Sequence, residues 1–209
     1  MLGGTFDPIH RGHLAAAHAA MECAALDRLV LVPTGRPPHR HGAVANAEQR
    51  LEMSRLAVAG DPRFAVSDVE IRREGLSYTA DTLEELKREH LSDELYLVLG
   101  WDAASLFATW HQPDKVRRLA SVVVVTRPGS ATPDAAALKA SGLDPATTVL
   151  CERPTPDISG SALRRAIAAG ESVGDRLPEA VVQYIAKNRL YMEEADEGRR
   201  SPQPTPHNR

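Results

Sequence analysis

Little in this chain is extreme, and each absence removes a class of protein. Cysteine is nearly missing: Cys23 and Cys151 are the two in 209 residues. They give no framework spacing, so a disulfide-stapled scaffold is excluded and a reducing cytoplasm is the expected compartment. Long apolar runs are missing too, which excludes a membrane-spanning helix. No basic-then-apolar leader stands ahead of the first glycines, so we expect no export signal. Nor is there an excess of basic charge. Lys and Arg number 25 against 28 Asp and Glu, a net charge of −3 at pH 7. That balance argues against a general nucleic-acid binder, although local basic clusters can still hold phosphates.

What is present is an ordinary globular composition, 43% hydrophobic and 25% charged. The length suits one domain with a sizeable core, read here as residues 1–192. The remainder, 193–209, is charged and then rich in Pro and Ser, and is expected to be disordered.

The chain is organised around Gly3–His13, reading GGTFDPIHRGH. Gly3 and Gly4 allow backbone conformations and close approaches that a side chain would block. A helix opening near Gly12 presents unpaired N–H groups and a positive dipole end to an anion. His10 and His13, about one helical turn apart, aim at one place. Zinc ligation is the plain alternative for two histidines, but helix-borne zinc pairs sit at i, i+4 with a nearby acid, and no HExxH occurs here. His18 reads as a helix-face residue. Only Met1 and Leu2 precede the glycines, short of the roughly five or six residues of an ordinary strand. We therefore expect the true start to lie upstream of Met1.

Beyond that stretch, apolar runs alternate with helical patterns. An alanine-rich helix runs over 13–26, and Leu29–Val32 is a short buried strand. Residues 34–42, TGRPPHRHG, form a loop stiffened by Pro37 and Pro38. Asn46 and Gln49 resemble a capping box that opens a helix to about Ala59. Phe64–Ile71 reads as a strand whose apolar phase slips near Ser67 and Asp68, the pattern of a bulge. A helix over Ala80–His90, strands at Leu95–Leu99, Val122–Val125 and Thr148–Cys151, and a helix over 133–141 follow. Ile158 leads into a helix to Ala169, and Leu177-Pro178 begins the last helix. This alternation predicts an α/β fold, a Rossmann-like doubly wound parallel sheet of about five to six strands in a single domain. Ligands then bind between the carboxyl ends of the first and fourth strands, where Gly3-Gly4 meets Gly100-Trp101-Asp102.

Two constellations carry chemistry. The pattern G-x-F/Y-D/N-P-x-H-x-G-H, present as Gly4 to His13, resembles the nucleotide-binding motif of the nucleotidyltransferase superfamily. The second is Ile158-Ser159-Gly160-Ser161-Ala162-Leu163-Arg164. Alone, its serines read as helix caps and its arginine as a solvated face. Beside the first motif it resembles the superfamily's I-S-S/A-T-x-I/L-R, whose arginine and helix start grip the β- and γ-phosphates of ATP. Gly160 and Ser161 replace the usual pair; Ser161 keeps the hydroxyl, and Gly160 costs about 1 kcal/mol of helix propensity in a first turn. Val32 to Arg40, Ser77 to Leu83 and Gly100 to Trp110 resemble, in order, the P-x-x-x-P-P-H-K/R, S-Y-T-x-x-T and G-x-D…W segments of bacterial nicotinate-nucleotide adenylyltransferases. Trp101 stands where that family has a smaller or polar residue.

The resemblance, over Leu2 to Tyr191, implies transfer of AMP from ATP to nicotinate mononucleotide in NAD biosynthesis, with Mg²⁺ accompanying ATP. It implies that His10, His13 and Arg164 act on the phosphates, with Gly3, Gly4, Thr5, Phe6, Ile158, Ser159 and Ser161 completing the ATP site. For the acceptor it points to His39, Arg40, Tyr78, Thr79, Asp102 and Trp110, each with a plain alternative as loop, cap or core residue. Asp7 either faces the nucleotide-metal region or braces the loop. The expected partners are therefore ATP and the mononucleotide, without nucleic acid or membrane. Two rivals stand: a phosphopantetheine adenylyltransferase, which shares the first motif, and a non-catalytic nucleotide sensor.

Overall fold

The computed structural model describes residues 1–37, 43–126 and 132–192. His39 and Arg40, and the tail expected to be disordered, lie outside the described residues. Six parallel strands form one sheet: β1 (Leu2–Gly4), β2 (Leu29–Pro33), β3 (Phe64–Val66), β4 (Tyr96–Gly100), β5 (Ser121–Val125) and β6 (Val149–Cys151), in the order β3-β2-β1-β4-β5-β6. The order reverses between β1 and β4, as expected for a doubly wound sheet. Short as it is, β1 pairs on both sides, Leu2 with Leu31 and with Val98, and the Val98 N–H donates to the Met1 carbonyl at 2.9 Å.

Helices cover both faces, which is why the strands read as continuous apolar runs. Leu2, Leu31, Val98, Val123 and Val125 bury into one core. It packs against α1 (Arg11–Cys23), α8 (Gly160–Ala168) and α9 (Glu179–Lys187). Their neighbours Leu97, Leu99, Val122 and Val124 point to the opposite core with Leu83 of α4 (Thr79–Glu89), Phe107 and Val116 of α6 (Pro113–Leu119). The helix α2 (Ala47–Val58) opens as its sequence predicts: the Gln49 N–H donates to Asn46 Oδ1 at 2.9 Å and the Asn46 N–H to Gln49 Oε1 at 3.0 Å.

The expected strand over Phe64–Ile71 forms only over its first three residues. β3 stops at Val66, and Val69–Arg72 is a short helix, α3. The phase slips because the element changes: Val66 ends β3 packed against the first core, whereas Val69 opens α3 and is buried in a separate core with Val32 and Leu86. Trp101, in α5 (Trp101–Ala104), lies partly buried against the second core with Trp110, so the large side chain is absorbed by packing.

The cysteines also depart from expectation. Cys23, the last residue of α1, and Cys151, the last of β6, form a disulfide across a sequence separation of 128. Sheet order, not spacing, brings them together. Such a bond is uncommon in a reducing cytosol, so the thiol count is best taken on protein alkylated as its host is lysed. Titration of the denatured, unreduced chain should find no free thiol, and two after reduction; two before reduction would remove the bond.

Candidate active site

Everything informative in GGTFDPIHRGH lies where β1 ends. β1 delivers Gly4 to a loop, Thr5–Ile9, and the chain then enters α1 with His10 at its N-cap. Phe6 holds a left-handed φ of 51° with its ring buried and edge-on to His13 at 5.0 Å. That conformation is uncommon for a bulky residue and is retained because the ring is locked in the core. The Asp7-Pro8 peptide is cis.

The histidines stack, ring centroids 3.6 Å apart and 19° from parallel. The His10 backbone N–H donates to His13 Nδ1 at 3.3 Å. An imidazole that accepts at Nδ1 carries its proton on Nε2 in the neutral form, so His13 has a donor at its other edge. Both rings line an open cleft of about 500 Å³ between the ends of β1, β4 and β5 and the start of α8. That size is within the ordinary range for a small-molecule site.

The opposite wall is the second constellation. Ile158, Ser159, Gly160, Ser161 and Arg164 all line the cleft. Ser159 is the N-cap of α8, and its hydroxyl lies 2.9 Å from that of Ser161. The free N–H groups of this first turn and two exposed hydroxyls make an anion site of the usual helix N-terminal kind. Gly160 suits its place: a Cβ there would come within 3.3 Å of the Asp7 carbonyl oxygen. Arg164 crosses between the walls, its Nη1 donating to that carbonyl at 2.7 Å and lying 3.5 Å from Asp7 Oδ2.

Asp7 braces the loop. Its carboxylate accepts the Val44 N–H at 2.8 Å, the Ala45 N–H at 3.1 Å and the Tyr191 hydroxyl at 2.7 Å. Burial first, and then the Asp7 carboxylate, push the Tyr191 phenol well above its ordinary range, so it remains a donor. Arg50 completes the brace from α2, donating from Nη1 to the Thr5 carbonyl at 2.7 Å and from Nε to the Ala45 carbonyl at 3.3 Å. Burial lowers its guanidinium, and the negative charges of Asp7 and, more weakly, Glu70 oppose that shift. Arg50 stands in no recognisable motif, Tyr191 only closes the C-terminal segment Leu177–Tyr191 that resembles the family's last helix, and their contacts alone reveal their role. The Asp7 oxygens are engaged by these partners, and among the described residues no group of three or more His, Cys, Asp or Glu is placed to hold a metal ion.

Of the other expected residues, Gly3, Thr5 and Phe6 line the cleft, while Gly4 ends β1 beside it. Tyr78, Thr79, Asp102 and Trp110 do not line it. Gly100, the cleft residue that ends β4, leads directly into α5, which carries Asp102. Tyr78 is the N-cap of α4, Thr79 its first residue, and the Tyr78 ring packs on His111 at 4.2 Å. Trp110 packs on Phe107 at 5.3 Å. The pairing of Tyr78 with His111 joins two segments that sequence reading had only placed in order, and His111 itself carried no signal.

A doubly wound sheet whose switch point presents HxGH on one side and a helix N-terminus with an arginine on the other defines a nucleotidyltransferase-type site. The family model for cytidylyltransferase-like proteins matches residues 1–166. The probable nicotinate-nucleotide adenylyltransferase of Thermus thermophilus is 44% identical over 191 residues, covering 91% of this chain and 97% of that protein. One of the same name from Dehalococcoides mccartyi is 41% identical over 195 residues, covering 91% and 95%. Among solved structures, the nicotinic acid mononucleotide adenylyltransferase of Plasmodium falciparum complexed with NaAD shares the fold, with a TM-score of 0.71 at 19% identity, covering 91% of this chain and 95% of that one. The chain belongs to the cytidylyltransferase-like family and, within it, to the nicotinate-nucleotide adenylyltransferases.

Proposed function

We propose that the protein transfers the adenylyl group of ATP to nicotinate mononucleotide, forming nicotinate adenine dinucleotide and releasing pyrophosphate. The observation that carries this reading is the cleft itself, with His10 and His13 on one wall and Arg164 with the α8 N-terminus on the other. The names of the relatives, and the dinucleotide bound by the Plasmodium protein, supply the acceptor class.

A phosphate oxygen of the mononucleotide attacks the α-phosphorus, and the bond to the β-phosphate bridging oxygen breaks. That acceptor oxygen is already ionised near neutral pH, so no strong base is required. The protein's task is alignment and charge stabilisation. His10, His13 and the backbone N–H groups from Gly4 to Phe6 serve the α-phosphate. Ser159, Ser161 and Arg164 hold the leaving pyrophosphate, and Mg²⁺ enters as part of the ATP substrate, neutralising its phosphates. Tyr78, Thr79, Asp102, Trp110, His39 and Arg40 serve the acceptor, with Trp110 stacking on the pyridine ring. ATP and a mononucleotide as substrates put the enzyme in the cytoplasm. No described helix is long and apolar enough to cross a membrane.

The test is pyrophosphate release with MgATP and each acceptor in turn: nicotinate mononucleotide, its amide counterpart and phosphopantetheine. Release with nicotinate mononucleotide is expected. Release with phosphopantetheine alone would replace the acceptor, and no release with any would leave a nucleotide sensor.

A further inference from the structure

Away from the phosphate cleft, a buried carboxylate ties together the two segments that lead into the acceptor side. Glu70, in α3, is 6% exposed. It accepts hydrogen bonds from the Thr82 hydroxyl at 2.8 Å, the Ser77 hydroxyl and the Gly35 N–H. Arg73 lies behind it, donating to Thr82 Oγ1 at 2.7 Å and pairing with Glu85 at 3.3 Å. Burial pushes the Glu70 carboxyl up, and the three hydrogen bonds and the Arg73 charge oppose that rise. A buried acid is costly to keep, and apolar packing alone would hold α3 in place at lower cost.

The identity of the donors shows what the acid holds. Gly35 lies at the exit of β2, in the stem that leads to Pro37. Ser77 immediately precedes Tyr78 and Thr79, and Thr82 stands in the first turn of α4. The stem and the turn are also zipped directly: the Arg36 N–H donates to Ser77 Oγ at 3.1 Å, and the Ser77 N–H to the Arg36 carbonyl at 2.9 Å. The approach admits no side chain at Gly35, where a Cβ would fall 2.1 Å from the Glu70 carbonyl oxygen. None of Gly35, Glu70, Ser77 or Thr82 lines the phosphate cleft.

We infer that Glu70 is a positioning residue for the acceptor: by holding Gly35, Ser77 and Thr82 it sets the β2 exit against the Tyr78-Thr79 turn and so shapes the mononucleotide site without touching the ATP phosphates. This rests on the adenylyl-transfer reading for the identity of the acceptor. Misplacement of a binding element by about 1 Å costs up to roughly a hundredfold, which sets the scale of the expected effect.

The test compares wild type, Glu70→Ala and Glu70→Gln in the full chain, varying ATP and nicotinate mononucleotide separately and measuring mononucleotide binding by calorimetry. Glu70→Ala should raise KM and Kd for the mononucleotide by about 10–100-fold and leave KM for ATP within about twofold. Glu70→Gln, which keeps an acceptor oxygen, should recover part of the loss. Equal rises in both KM values, or a fall in kcat with both unchanged, would overturn the proposal. If Glu70→Ala does not fold, the same selectivity is read from Glu70→Gln alone. Wild type that releases no pyrophosphate would overturn the adenylyl-transfer reading instead, while calorimetry with the mononucleotide still reports on Glu70.

Discussion

His13→Ala should lower kcat by about 10²–10³-fold, the usual cost of removing one preorganised donor from a developing oxyanion. The chain should still fold, because His13 is half-buried on the first turn of α1 and its backbone bond to the His10 carbonyl at 2.9 Å survives the substitution. The loss should appear in kcat and kcat/KM together, since the donor acts where charge develops and adds little to ground-state binding. His13→Gln is informative beside it. A glutamine amide can donate toward the cleft but cannot reproduce the imidazole stacked at 3.6 Å on His10, so it should recover only part of the rate. Near-normal turnover of the alanine variant would falsify the assignment of His13 to the α-phosphate.

Asp7→Ala should act on the fold instead. It removes one acceptor group from two backbone N–H groups, the Tyr191 hydroxyl and the neighbouring Arg164. Breaking a buried charged network by deleting one member costs about 3–5 kcal/mol, because the partners are left without compensation. For a chain of this size that corresponds to a fall in Tm of roughly 6–20 °C. Asn is not conservative here: one of its two terminal atoms becomes a donor and would face the N–H of Val44 or Ala45. Thermal unfolding of wild type, Asp7→Ala and Asp7→Asn measures this. A change below about 1 kcal/mol, the value of a single ordinary hydrogen bond, would show that Asp7 does not brace the loop.

The two predictions separate roles that share one short motif, and the motif's letters alone do not make that separation. In GGTFDPIHRGH the histidines and the aspartate are equally polar and equally close to the glycines. Their partners divide them, since His10 and Asp7 are equally buried. His13 keeps an edge on the cleft, whereas the Asp7 oxygens are turned inward to residues 44, 45 and 191.

The strands at 29–33, 96–100 and 121–125, the capping box at Asn46, and the two turns that meet at the cleft are legible because each is written in contiguous residues. Turn chemistry, capping and burial on both faces act over a few positions, so their patterns survive in a linear string. The strand expected over 64–71 runs on too far because no local signal marks where β3 ends, and the change of element shows only once Val66 and Val69 are buried in different cores. Pairings across the chain have no such signature. The cost of closing a loop grows slowly with its length, so no sequence separation marks Cys23 and Cys151, Asp7 and Tyr191, Arg50 and Thr5, or Glu70 and Gly35 as neighbours. The sequence by itself determined the sheet class and the two segments that wall the cleft. The tertiary structure alone decided which buried groups support them, because those contacts exist only once β1 and β4 are side by side and the helices have closed over both faces.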